Sequence, residues 1–128
     1  IAVTRRGQGG LAMDLQLTFE KGMATVKTEN AIRKALSPTK RTLGEPIYLQ
    51  RKGAEAVTGN AMLPSGFFAV KEMKNAEGKL TGVALYGGGN GHGVGLSQYG
   101  AKYLAEQGKT AAEIVACYFP GTKVEKVL

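Results

Sequence analysis

His92 is the one imidazole in this 128-residue chain, and it sits in Gly87-Gly88-Gly89-Asn90-Gly91-His92-Gly93-Val94-Gly95, where six of nine positions are glycine. With an ordinary pKa of about 6.5, such a side chain can act as a general acid or base, donate to a ligand, or tie a loop together. The residue types leave all three roles open. Glycine at this density costs backbone entropy, so a folded chain keeps it where φ must be positive or where something approaches closely. Ser97 follows, and it is a nucleophile only if a base and an orienting group stand beside it; at a helix start it is more simply an N-cap. Gln98 and Tyr99 can hydrogen-bond a sugar or an amide, although Tyr99 also fits a buried stripe. His92, Gly93, Ser97, Gln98 and Tyr99 are therefore the candidate ligand contacts.

Other chemistries fail on spacing or on count. No G-x-G-x-x-G can be laid on residues 87 to 100, and Gly108-Lys109-Thr110 lacks the upstream glycine of a phosphate loop, because position 103 is Tyr. One His and one Cys cannot supply the four N or S ligands of a closed zinc site, so no metal and no cofactor is expected. Glycoside cleavage needs a well-placed acid, and no pair of carboxylates stands near the glycine tract. Cys117 cannot form an internal disulfide and is expected as a small core residue.

The elements that must hold these residues read as strands first and helices last. Ala2 to Arg6 and Met13 to Glu20 form expected strands around a Gly7-Gln8-Gly9-Gly10 turn, the second with Leu15, Leu17 and Phe19 alternating against polar residues. Met23 to Lys27 adds a third. A short helix from Glu29 to Leu36 ends at Ser37-Pro38, with Arg33 and Lys34 expected on a solvated face. Pro38, Gly44, Pro46, Gly53, Gly59 and Pro64 interrupt the middle, where Ile47 to Gln50 reads as a strand and Arg51 to Asn60 as a polar excursion. Phe67 to Val70 and Leu80 to Tyr86 are strand-like, joined by a turn over Lys74 to Gly78.

Beyond the tract the period changes to 3.6, with Leu96, Tyr99, Tyr103 and Leu104 on one side of a helix that Gly108 closes. Thr110 and Glu113 then make a capping box ahead of Ile114, Val115 and Tyr118, and Val124 to Leu128 is a further strand candidate. The reading is α+β: mostly antiparallel sheet followed by two C-terminal helices, in a single compact domain. Seventeen basic against ten acidic residues give +7, a surface suited to a polyanion, and no run nears the roughly 18 apolar residues of a membrane span. The start at Ile1-Ala2-Val3-Thr4-Arg5, without an initiator Met or a signal segment, suggests a processed or excised part of something longer.

Gly91-His92-Gly93-Val94-Gly95-Leu96-Ser97-Gln98-Tyr99-Gly100-Ala101, then Leu104-Ala105, Gly108, Ile114-Val115 and Tyr118-Phe119-Pro120-Gly121-Thr122, resembles the C-terminal signature of the stage II sporulation protein D family, which includes the amidase enhancers. Ile1 to Arg6, Ile32 to Leu36 and Leu63 to Phe68 resemble the family's later portion. The resemblance thus implies that residues 1–128 are the C-terminal part of such a domain, with Leu96 standing in for a usual methionine and Cys117 for a common histidine. It further implies a bacterial peptidoglycan lytic transglycosylase, facing the wall outside the cytoplasm, that cuts glycan strands without water, with a wall amidase as a partner. On this reading nucleic acid is not a partner, and a membrane anchor would lie only upstream. The family's catalytic glutamate belongs to an N-terminal motif rich in Glu, Pro and Ala that is not in this chain, so no catalytic residue is assigned here. His92, Ser97 and Gln98 are expected to shape part of a glycan cleft. The alternative is a non-catalytic glycan-binding or amidase-stimulating module.

Overall fold

A computed structural model describes residues 1–39 and 47–125. The chain parts into two compact units, Ile1–His92 and Gly93–Leu128.

In the first unit, β1 (Ala2–Arg6), β2 (Ala12–Phe19) and β3 (Gly22–Lys27) form an antiparallel meander. The alternation along β2 buries Leu15 completely, whereas Phe19 is 60% exposed because the strand runs past the core's edge. Helix α1 (Glu29–Ala35) packs on β2 and β3 through the fully buried Ile32. Its N-cap Thr28 has φ 74, an uncommon conformation for a β-branched residue. Two bonds hold it there: its amide donates to the Met13 carbonyl at 2.8 Å and its hydroxyl accepts from the Ala31 amide at 3.3 Å. Leu63 and Phe68 complete a core with Ala12, Leu15 and Ile32.

Residues 51–60, expected as a polar excursion, instead contain most of a hairpin. Strand β4 (Leu49–Arg51) pairs antiparallel with β5 (Ala54–Val57), and the turn works because Gly53 adopts φ +71. The polar composition concealed the strands because only Leu49 and Val57 are half-buried, leaving no alternation to read. Gly44 and Pro46 lie outside the described residues. Strand β6 (Phe68–Lys74) pairs with β7 (Leu80–Gly87) from Phe68↔Gly87 to Lys74↔Leu80. The Asn75 side chain accepts from the Lys79 amide at 2.9 Å and shapes the turn.

The second unit contains α2 (Gln98–Glu106) and α3 (Ala111–Tyr118). Ser97 caps α2 by accepting from the Gly100 amide at 3.1 Å. The Thr110–Glu113 capping box forms as read, with the Glu113 carboxylate accepting from the Thr110 amide at 2.8 Å. That backbone bond, then the Lys109 ammonium, lowers the Glu113 pKa to about 2. The expected apolar stripe of α2 needs correction, since Tyr99 is 86% and Tyr103 61% exposed. The half-buried positions are Gly100, Ala101 and Leu104, and helical geometry turns positions 99 and 103 away from them. Cys117 is likewise exposed rather than core, because the covered stripe of α3 is Ile114, Val115 and Tyr118 and position 117 falls beside it. Val124 and Glu125 carry no strand, and 126–128 lie outside the described residues. Among the described residues every strand pairing is antiparallel, in three sheets, and two helices follow the strands, so the fold is α+β as expected.

Candidate functional site

The glycine tract leaves β7 and runs beside residues 64–67. The Gly88 amide donates to the Phe67 carbonyl at 3.1 Å and the Gly91 amide to the Pro64 carbonyl at 2.8 Å. Two glycines are required by geometry. Gly89 has φ +86 with Ser65 Oγ 3.3 Å from where a Cβ would stand, and a Cβ on Gly87 would lie 2.5 Å from the Phe67 carbonyl oxygen. Side chains at these points would push the tract off the 64–67 segment.

That segment is itself fixed from below by α1. Arg33 was expected on a solvated face, yet it is 8% exposed. Its guanidinium donates to the Leu63 carbonyl at 2.7 Å, to the Pro64 carbonyl at 3.1 Å and to Glu29 Oε1 at 2.7 Å. The correction has a physical reason: Glu29 and Arg33 are four residues apart on one helix face, and the pair turns inward because two loop carbonyls need donors. Pro64 thus accepts from both Arg33 and Gly91. On the other side Arg6 donates to the Phe68 carbonyl at 2.8 Å and to the Gly10 carbonyl at 2.8 Å.

The three upstream segments that carry the family resemblance, 1–6, 32–36 and 63–68, therefore meet in one hydrogen-bonded frame, and 87–91 rests on it. No periodicity in the sequence announces this convergence. The i, i+4 spacing of Glu29 and Arg33 was the available signal.

The candidate ligand contacts divide at the boundary between the units. His92 is exposed at the end of the first, while Gly93, Ser97, Gln98 and Tyr99 open the second, all exposed. Ser97 Oγ is engaged as a cap acceptor, leaving its O–H able to donate. Gln98 and Tyr99 present an amide and a phenol to solvent from the first turn of α2. Asp14, beside the Arg5 guanidinium at 2.8 Å, is held below the usual carboxylate range by that hydrogen bond. Glu113 is lowered as well, so both of these acids are tuned away from proton donation. Among the described residues no group of three His, Cys, Asp or Glu is placed to hold a metal ion, and no helix is long and apolar enough to cross a membrane.

The chain is similar in sequence, over a short stretch, to curated sporulation proteins. The relatives can be given individually. Over 38 residues, 30% of this chain, it is 55% identical to stage II sporulation protein D of Bacillus amyloliquefaciens and 53% to that of Bacillus subtilis (strain 168). Over 38 residues it is 56% identical to the amidase enhancer of Bacillus subtilis (strain 168). The matched stretch spans 11% of each sporulation protein and 5% of the amidase enhancer. No family model matches the chain, and no solved structure matches it.

Proposed function

We propose that this chain belongs to a bacterial cell-wall protein and forms one side of a glycan cleft in a peptidoglycan lytic transglycosylase. The acid that protonates the glycosidic oxygen comes from outside residues 1–128. The observation that carries this reading is the 53–56% identity to stage II sporulation protein D and the amidase enhancer over 38 residues. In support, the tract offers backbone approachable at glycine, and Ser97, Gln98 and Tyr99 offer donors and acceptors matched to sugar hydroxyl and acetamido groups.

A second reading, a non-catalytic wall-binding module that stimulates an amidase, is favoured by the carboxylates. Asp14 and Glu29 are bound to arginines and Glu113 is a cap, so the folded chain spends these acids on structure. In both readings the protein works outside the cytoplasm on peptidoglycan, with a wall amidase as neighbour.

One pair of assays separates the two. The chain should pellet with insoluble peptidoglycan but release no anhydro-muropeptides, whereas the full-length protein should release them. Release by the chain alone would place the acid within residues 1–128, and absence of release by the full-length protein would favour the module. Failure to pellet contradicts both. In the full-length protein His92→Ala should weaken turnover, and unchanged activity would reduce the tract to scaffold.

A further inference from the structure

Asn90-Gly91, in the middle of the tract, is the one asparagine–glycine step in the chain. The other three asparagines, Asn30, Asn60 and Asn75, are each followed by alanine. From this step and its surroundings we infer that Asn90 is a self-modification site: its side chain closes on the Gly91 nitrogen and reopens as aspartate or isoaspartate, under the restraint of the Gly91–Pro64 hydrogen bond. The inference stands apart from the glycan reading and needs no ligand.

The chemistry depends on one atom reaching another. The Gly91 nitrogen gives up its proton to solvent and attacks the Asn90 side-chain carbon Cγ. The new C–N bond closes a five-membered imide, and the side-chain amide takes up a proton from solvent and leaves as ammonia. Water then adds to one of the two ring carbonyls. Opening at the side-chain carbonyl gives aspartate, and opening at the main-chain carbonyl gives isoaspartate. One water is consumed and one ammonia released, with no oxidation or reduction. A Cβ on the following residue crowds the attacking nitrogen, and glycine has none.

The structure separates Asn90 from the other asparagines further. Asn30 lies in the first turn of α1, and the Asn75 side chain is engaged with the Lys79 amide at 2.9 Å. Asn90 is exposed and outside every helix and strand. Nothing stands within 4 Å of where a Cβ on Gly91 would be, so the space beside the attacking residue is open. One restraint acts against closure. The Gly91 amide donates to the Pro64 carbonyl at 2.8 Å, a bond that holds the proton that must leave and fixes the nitrogen toward Pro64. Pro64 is itself held by Arg33 at 3.1 Å. The frame is thus a brake, and local opening releases it. Residues 87–95 carry no acid, so either product puts a carboxylate into the tract. Isoaspartate also lengthens the main chain by one carbon ahead of Gly91 and displaces its amide from Pro64.

The test ages the full-length protein at neutral pH beside a synthetic peptide of residues 87–95, with conversion read by peptide mapping and mass spectrometry. Asn90 should convert first of the four asparagines and give both products. Its rate should be on the order of fivefold or more below that of the peptide, the scale of one hydrogen bond. Arg33→Lys keeps a cation for Glu29 but loses the planar fork that reaches the loop carbonyls, and it should move the rate toward the peptide's. Unfolding the wild type in urea should raise it fully, a measurement that decides the matter even if Arg33→Lys fails to fold. Earlier conversion at Asn30, Asn60 or Asn75, a native rate equal to the peptide's, or a folded Arg33→Lys no faster than wild type overturns the inference. If Asn90 stays intact in the native wild type, its conversion in urea and in Arg33→Lys upholds the brake, and its absence in either overturns it.

Discussion

The two units reach their folds by different means. The first buries Ala12, Leu15, Ile32, Leu63 and Phe68 together and reinforces that core with an inward-facing ion pair. Among the described residues the second has a single buried hydrophobic side chain, Ile114, and it is shaped by a serine cap, a capping box and the close approach of Tyr118 to Gly100. Burial of a few large side chains contributes several kcal/mol, while a cap contributes about one. Damage to the first unit should therefore be costly and global to that unit, and damage to the second small and local. The first unit's frame is held by long-range hydrogen bonds, and the second unit's α2 presents exposed polar groups in its first turn.

The largest expected effect is at Arg33. Arg33→Leu leaves Glu29 buried without its partner and strips donors from the Leu63 and Pro64 carbonyls, so it should cost about 3–5 kcal/mol in denaturant unfolding. Amide exchange should accelerate at Gly91, whose bond depends on Pro64, and stay unchanged through α3. Equal acceleration in both units would break the contrast. Ile32→Ala should cost about 2–5 kcal/mol by the cavity it leaves.

Gly100→Ala is the next largest. A Cβ there would overlap the Tyr118 hydroxyl and stand 3.2 Å from its ring carbon and 3.3 Å from Ser97 Cβ. Alanine raises helix propensity by up to about 1 kcal/mol, while overpacking costs about 1–3. Melting of α2 should show a net loss of about 1 kcal/mol. Tyr118→Phe, which removes the overlapping oxygen, should restore most of it; if it restores nothing, the close approach is not what limits this position.

Much of this was legible, and for identifiable reasons. The meander, α1, β6, β7 and both late helices follow from period and from caps, and Thr110 and Glu113 announced α3 to the residue. The β4–β5 hairpin was not legible, because it is exposed and polar on nearly every position. Arg33 was misplaced because a charged residue on a short helix reads as solvated until the carbonyls of a loop about thirty positions away are known to need it. Tyr99 and Tyr103 were misplaced because their spacing fits a helix face equally well whether that face is covered or bare. Of the candidate contacts, residue types and spacing singled out Gly93 and the start of α2, but the frame under the tract depends on long-range hydrogen bonds that no local pattern encodes.

The smallest effects belong to the second unit's caps. Thr110→Ala should cost about 1 kcal/mol, read as loss of helical signal confined to α3. The pH dependence has a definite sign. The folded pKa of Glu113 is lowered from 4.5 to about 2, so its contribution is complete above about 4.5 and is lost as pH falls through about 2. Circular dichroism between those values should show α3 loosening ahead of the first unit, and Glu113→Gln should abolish that early phase. A transition in which both units melt together would contradict the separation.

The amide spectrum of the chain during titration with a soluble, peptide-free alternating glycan oligomer tests the central claim most directly, because glycine amides report the tract itself. The account predicts shifts concentrated at the glycine amides of residues 87–91, with little change along β3. Shifts confined to exposed lysines and lost on adding salt, with the glycine amides unmoved, would contradict it and leave only a basic surface attracted to an anionic polymer.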